Sequence, residues 1–166
     1  IEDVRRRLAD RAANRELYDA AQDVAAFAPV RCEALRAGDV VRLRAGQRVP
    51  ADLVLLATSL PDGLCYVQTA QLDGETNLKS FHACALTAGL ADAALAALTD
   101  AHILAERPSP NMHRFQGKLV LGAASSNTSG RPARRCRVAA VDEGGVLLQG
   151  AVLRNTAAAY GAVLYT

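Results

Sequence analysis

The sequence contains no Trp, one Met and only 4% aromatic residues, so its core cannot rest on large rings. Because 34 of its hydrophobic residues are Ala, the interior has to be built chiefly from Val and Leu. Lysine is also scarce: 17 Arg stand against two Lys, Lys79 and Lys118. Neither sign of charge dominates, with 19 basic and 17 acidic residues and a net +2. That balance argues against a dedicated nucleic-acid binder, and no nucleic-acid partner is expected. No apolar run reaches the roughly 18 residues that a membrane-spanning helix needs. The longest apolar region, 146–165, is interrupted by Gln149, Arg154, Asn155 and Thr156. The opening IEDVRRRLAD lacks the apolar stretch of a signal peptide. We therefore expect a soluble piece and, since the first residue is Ile and not Met, a fragment of a longer chain.

The cysteines, Cys32, Cys65, Cys84 and Cys136, contain no CxxC and no paired spacing. Structural zinc sites draw on close ligand pairs that meet tetrahedrally, so no metal site is expected and reduced thiols are the plainer reading. His82 and Cys84, two apart on one face of a strand, form the only weak hint of a metal. A phosphate-binding P-loop, a dinucleotide fingerprint and a nucleophile elbow are all missing, and no cofactor is expected within the chain itself. Asn127-Thr128-Ser129 fits a glycosylation acceptor, read here as a chance match because no secretory signal precedes it.

The chain has 166 residues, enough for one domain with a core of its own plus a helical appendage. Residues 1–28 form the expected helical segment, helical to about residue 26, with Val4, Leu8, Ala12 and Leu17 at helical spacing. Its Arg and Asp/Glu residues read as a solvated face. From residue 29 to 166 the texture becomes β-rich. Strands are expected over 40–44, 53–58, 64–70, 78–86, 118–121, 137–141, 146–152 and 162–165. Turn chemistry separates several of them at Ala37-Gly38-Asp39, Pro61-Asp62-Gly63, Asp73-Gly74 and Glu143-Gly144-Gly145. Many short strands with close turns predict a mainly β fold, a sandwich or irregular barrel. The Ala- and Leu-rich 91–106 predicts a short helical insertion, and the small polar residues of 123–132 a mobile loop. That loop and the arginines from Arg131 to Arg137 are expected to be the most variable surface.

The chemically loaded stretch is Gln71-Leu72-Asp73-Gly74-Glu75-Thr76-Asn77-Leu78-Lys79. Leu72 and Leu78 bracket five polar residues, the profile of a loop between strands, and Asp-Gly supplies the left-handed backbone of a tight turn. Glu75 would project from the tip. On its own, Asp-Gly favours an ordinary hairpin turn over a catalytic loop.

The stretch resembles the actuator loop of P-type ATPases, and QLDGETNLK in particular resembles the type IV members, the phospholipid flippases. Ala37-Gly38-Asp39-Val40-Val41-Arg42-Leu43, the segment from Val49-Pro50-Ala51-Asp52 to Leu56, and Gly63-Leu64-Cys65-Tyr66-Val67 continue the resemblance. So do Pro110-Asn111, Phe115-Gln116-Gly117, Leu153-Arg154-Asn155-Thr156 and Tyr160-Gly161, all in order, while Asp3, Arg6, Asp10 and Asn14 fall in the flippase rhythm. Gln68 stands where flippases usually carry Glu, Gln149 where they carry Arg, and Ala158 where they carry Trp.

The resemblance implies a cytosolic actuator domain with a distorted jelly-roll (double-stranded β-helix) core, joined through its helical part to the preceding membrane helix of a multi-pass pump. It implies catalytic roles for Asp73, Gly74, Glu75 and Thr76, with Glu75 activating the water that hydrolyses an aspartyl phosphate held by another domain. ATP and Mg2+ would be bound elsewhere in the full-length pump. The implied partners are the phosphorylation and nucleotide-binding domains of the same chain, the membrane domain with its phospholipid, and an accessory glycoprotein subunit. The isolated chain is expected to be inactive as an ATPase. Two competing readings are the actuator of a cation-transporting pump, which usually carries T-G-E-S at this loop, and a non-enzymatic β-sandwich interaction module.

Overall fold

The computed structural model describes residues 2–21, 26–98, 101–105, 115–122 and 136–165. The chain opens with helix α1 (Glu2–Asn14) and continues through β1 (Leu17–Ala21), β2 (Ala28–Arg31), β3 (Val40–Arg44), β4 (Asp52–Thr58) and β5 (Leu64–Gln68). Then come α2 (Ala70–Asp73), β6 (Leu78–His82), α3 (Asp92–Ala96), β7 (Ala101–Ala105), β8 (Gln116–Leu121) and β9 (Arg137–Asp142). β10 (Val146–Leu147), β11 (Val152–Arg154) and β12 (Ala158–Tyr165) complete it. The strands form a six-stranded sheet, β10-β4-β12-β3-β1-β2, and two three-stranded sheets, β11-β5-β6 and β7-β8-β9. The strand pairs are antiparallel. Among the described residues no helix is long and apolar enough to cross a membrane.

The large sheet is the middle layer, and the two-residue period of a strand shows why. In β4, Leu53 and Leu55 enter a core shared with Cys65 and Val67 of β5 and Leu153 of β11. Their neighbours Val54 and Leu56 enter a second core, with Leu95 of α3, Leu119 and Leu121 of β8, and Val141 of β9. β12 divides the same way: Ala159 and Val163 face the first core, Tyr160, Ala162 and Leu164 the second. A strand buried on both faces reads as a continuous apolar run, which is how DLVLLAT at β4 reads.

Polar groups tie strands within the large sheet and tie that sheet to α3 and to the segment after β6. The Asp19 carboxylate of β1 accepts from Arg42 Nη2 at 2.7 Å and Arg44 Nη2 at 2.6 Å, both on β3. Arg42 also donates to Asp92 at the start of α3 (3.1 Å) and lies 5.3 Å from the Phe27 ring centroid. The Tyr160 hydroxyl of β12 donates to the same Asp92. Thr87, fully buried, donates through Oγ1 to the Leu56 carbonyl at 2.6 Å and so pins the segment after β6 to β4. Thr87→Val keeps the shape and removes the donor. It is expected to cost about 1–2 kcal/mol of folding stability, read from the urea midpoint.

Several expectations are corrected. The helix predicted to about residue 26 ends at Asn14, and 17–21 form a strand. Leu17, taken as part of the helical stripe, is 56% exposed, whereas Tyr18 and Ala20 point inward at strand spacing. Pairing with β2 and β3 overrides local helix propensity there. Among the described residues of 91–106, the helix covers only Asp92–Ala96, and Ala101–Ala105 pairs with β8, Ile103 against the second core and Leu104 61% exposed. The predicted strands 64–70 and 78–86 stop at Gln68 and His82, and 146–152 divides around a turn at Gly150. The predicted 162–165 extends back to Ala158. Because β6 ends at His82, which is exposed while Cys84 is buried, these two do not share a strand face. The 123–132 loop, Asn127-Thr128-Ser129, Pro110-Asn111 and Arg131 through Arg135 lie outside the described residues.

Candidate functional site

β5 and β6 pair in register from Leu64↔His82 to Gln68↔Leu78, so residues 69–77 are the connection between two hydrogen-bonded strands. The connection is not a plain hairpin turn. Thr69 to Asp73 coil into the single turn of α2, which ends at Gly74 in the left-handed region, φ 76° and ψ −2°. Its N–H closes the turn on the Ala70 carbonyl. Glycine adopts this backbone without a Cβ penalty, so Asp-Gly does supply the expected left-handed residue, as a helix cap. Beyond it the chain reverses, and the Glu75 side chain projects with 60% of its surface exposed.

The contiguous Asp73, Gly74, Glu75 and Thr76 are organised around the Asp73 carboxylate. It accepts from Thr69 Oγ1 at 2.9 Å, from the Glu75 backbone N–H at 2.9 Å and from Lys79 Nζ at 2.5 Å. Lys79 Nζ lies 3.1 Å from Glu75 Oε2 as well, so one ammonium bridges the first and third residues of the motif. Gly74 presents bare backbone between them, and Thr76 is exposed. Lys79 and the Glu75 N–H hold the Asp73 carboxyl down at about 2, with Thr69 adding to the effect. The two carboxylates, Asp73 before Glu75, raise the Lys79 ammonium.

Asp73 titrates below its ordinary value of 3.8, so its contacts are complete above that value and are lost as pH falls through about 2. In a carboxyl NMR titration Asp73 should remain mostly ionised at pH 3. Lys79→Ala should move its midpoint up towards the ordinary value; an unmoved midpoint would remove Lys79 as the cause.

The surroundings brace the loop. Leu72 and Leu78, 39% and 42% exposed, flank it. Leu72 lies against the turn at Gly150, where an added Cβ would meet Leu72 Cδ2 at 3.4 Å. In that turn Gln149 donates its backbone N–H to Asp52 Oδ1 (2.8 Å) and its side-chain Nε2 to the Pro50 carbonyl (3.0 Å). Arg154 Nε donates to Gln68 Oε1 at 3.2 Å, so a neutral amide occupies the place where the resembling family usually carries Glu. Ala158, in place of a bulky Trp, opens β12 half-buried against the second core. Sequence reasoning missed Thr69, 5% exposed, because a lone buried hydroxyl leaves no pattern. Lys79 carried one signal, the scarcity of lysine.

Among the described residues no group of three or more His, Cys, Asp or Glu is placed to hold a metal ion. Asp73 and Glu75, the two carboxylates of the loop, share Lys79 and do not form a cage for Mg2+. The described cysteines are free thiols, Cys65 and Cys84 buried, Cys32 half-buried and Cys136 exposed.

The chain is 32% identical over its full length to the phospholipid-transporting ATPase DRS2 of Saccharomyces cerevisiae, covering 11% of that protein. It is 37% identical over 81% of its length to the phospholipid-transporting ATPase 11C of Mus musculus, again 11% of that protein. It is 38% identical over 76% of its length to the phospholipid-transporting ATPase NEO1 of Saccharomyces cerevisiae, 11% of it. The chain thus spans about a tenth of the length of these relatives. Residues 22–131 match the P-type ATPase actuator domain. The chain belongs to the P-type ATPase actuator domain family.

Proposed function

We propose that this chain is the actuator of an ATP-driven phospholipid-translocating pump, and that its Asp73-Gly74-Glu75-Thr76 loop drives hydrolysis of the pump's aspartyl phosphate. The observation that carries this reading is the Glu75 carboxylate, 60% exposed beyond a left-handed glycine, on a loop tied at its base by Asp73 and Lys79. Phosphoryl transfer is mostly positioning and electrostatics, so a carboxylate that can be carried to the phosphate is what the reaction asks of this domain. Glu75 accepts a proton from water as the water oxygen attacks phosphorus and the aspartate carboxylate leaves. Gly74 allows the backbone to come close, and Asp73 holds the loop through Thr69, the Glu75 N–H and Lys79.

The phospholipid assignment is supported by relatives named as phospholipid-transporting ATPases and by Asp73 where cation pumps usually carry Thr. The whole pump would supply the rest. Its phosphorylation and nucleotide-binding domains, in the same chain, would hold ATP and Mg2+. Its membrane domain would carry the lipid, and a glycoprotein subunit would accompany it. In this reading 1–28 leads from the preceding membrane helix, 29–166 is the actuator body on the cytosolic face, and the three sheets are a distorted jelly roll. The test is phosphoenzyme turnover in the full-length pump: with Glu75→Gln, label from ATP should enter normally and then persist.

A further inference from the structure

Lys79 stands out by its placement as well as its rarity. It is the second residue of β6, paired with the buried Val67 of β5, so its backbone belongs to the sheet and not to the loop. Its side chain, 38% exposed, runs to the loop and sets one ammonium between Asp73 Oδ2 (2.5 Å) and Glu75 Oε2 (3.1 Å). Asp73 in turn holds the Glu75 N–H and is held by the buried Thr69 hydroxyl. Glu75 is therefore fixed twice, at its backbone through Asp73 and at its carboxylate through Lys79.

An unrestrained glutamate at an exposed tip would have several side-chain rotamers to lose before it could act, and ordering them is an entropic cost. A charge anchored on a strand removes part of that cost before the reaction begins, which is what preorganisation of a functional group by its supporting shell means. An ammonium fits such a position because it is compact and has three donors that can serve carboxylates from different directions, where a guanidinium offers one planar fork.

We propose that Lys79 is a positioning residue for this loop, holding the Glu75 carboxylate against Asp73 so that it arrives at the phosphorylated aspartate already oriented. This rests on the reading of Glu75 as the group that activates the water. The depressed titration of Asp73 and the raised one of Lys79 accord with the bridge.

The experiment is single-turnover dephosphorylation of the full-length pump, comparing wild type, Glu75→Gln, Lys79→Gln, Lys79→Arg and the double variant Glu75→Gln with Lys79→Gln. All should take up label from ATP normally. Lys79→Gln should slow dephosphorylation by about tenfold, the scale of a misplaced but intact catalytic group. Lys79→Arg should recover part of that loss, since it keeps the charge with different geometry. The double variant should be no slower than Glu75→Gln alone, because Lys79 acts through Glu75. The isolated Lys79→Gln chain should melt like wild type, as an exposed ion pair adds little to folding. A wild-type rate for Lys79→Gln overturns the proposal. So does a double variant slower than Glu75→Gln by the full Lys79 factor, which would place the ammonium on the phosphate itself. A large drop in melting temperature overturns it too, by making Lys79 structural. If Glu75→Gln alone dephosphorylates normally, the reading of the loop fails first, and that outcome is separate from the others.

Discussion

Glu75→Gln in the full-length pump is expected to leave phosphorylation by ATP intact and to slow hydrolysis of the phosphoenzyme by about 10²-fold or more, the scale of a lost general base. A hundredfold loss corresponds to about 2.7 kcal/mol of barrier. The glutamine amide keeps the length and can still orient a water, but it cannot take the water's proton. Glu75→Asp keeps a base but draws it back by one methylene, so it should fall between the two. Phosphoenzyme should accumulate and phospholipid transport should stop. The isolated Glu75→Gln chain should melt close to wild type, because a carboxylate 60% exposed and 3.1 Å from one lysine contributes little to folding. Normal dephosphorylation in the variant pump would reduce Glu75 to a turn residue. Unfolding of the variant chain would assign it a structural role in place of a chemical one.

The parts of this site that were legible beforehand are those with a local cause. Asp73-Gly74 announces a left-handed residue, and Gly74 has one, because the requirement lives in two adjacent residues. That the same residue caps a single helical turn, with Ala70–Asp73 coiled where a strand end at Ala70 and then a loop were expected, was not legible, and Leu72 of that turn lies against Gly150, far along the chain. The Asp73–Lys79 bridge spans six positions across a chain reversal and matches no helical or strand period. In the body of the domain the same contrast holds. β4 is legible because a five-residue apolar run, Leu53 to Ala57, bounded by polar residues and turn signals fits a doubly buried strand. The strand at Leu17–Ala21 is not, because Ala-rich sequence beside a charged helix fits one period about as well as the other. What decides it is pairing with β3 and the Asp19 contact to Arg42, 23 residues away. The same applies to Ala101–Ala105, whose partner β8 lies beyond an intervening segment. Local chemistry is readable in advance, and long-range pairing is not.

The family resemblance includes Tyr160-Gly161, and Gly161 carries the largest expected effect on folding. It lies in β12 where the register with β4 shifts, between Tyr160↔Ala57 and Gly161↔Leu55. A Cβ added there would meet Leu53 Cβ at 2.8 Å, Leu53 Cδ1 at 3.1 Å and the Val54 carbonyl oxygen at 3.3 Å. Leu53 and Val54 are fully buried, and β4 is held on both faces by the two cores, so neither neighbour can give way by a side-chain swing. Overpacking of this kind typically costs 1–3 kcal/mol, and Gly161→Ala should fall at the upper end, about 2–3 kcal/mol. For a chain of 166 residues that is a fall in melting temperature of roughly 5–10 °C. Gly161→Val, with two further methyls in the same space, should fail to give a cooperative transition. Truncating the neighbour should not help: in Gly161→Ala with Leu53→Ala the 2.8 Å clash remains, because the offending atom is the Cβ that alanine retains, and a cavity is added beside it. Calorimetry of the four chains checks this. A Gly161→Ala melting temperature within about 1 °C of wild type, or its restoration by Leu53→Ala, would mean that β12 and β4 can separate at this crossing and that the bulge, not close packing, is what the glycine serves.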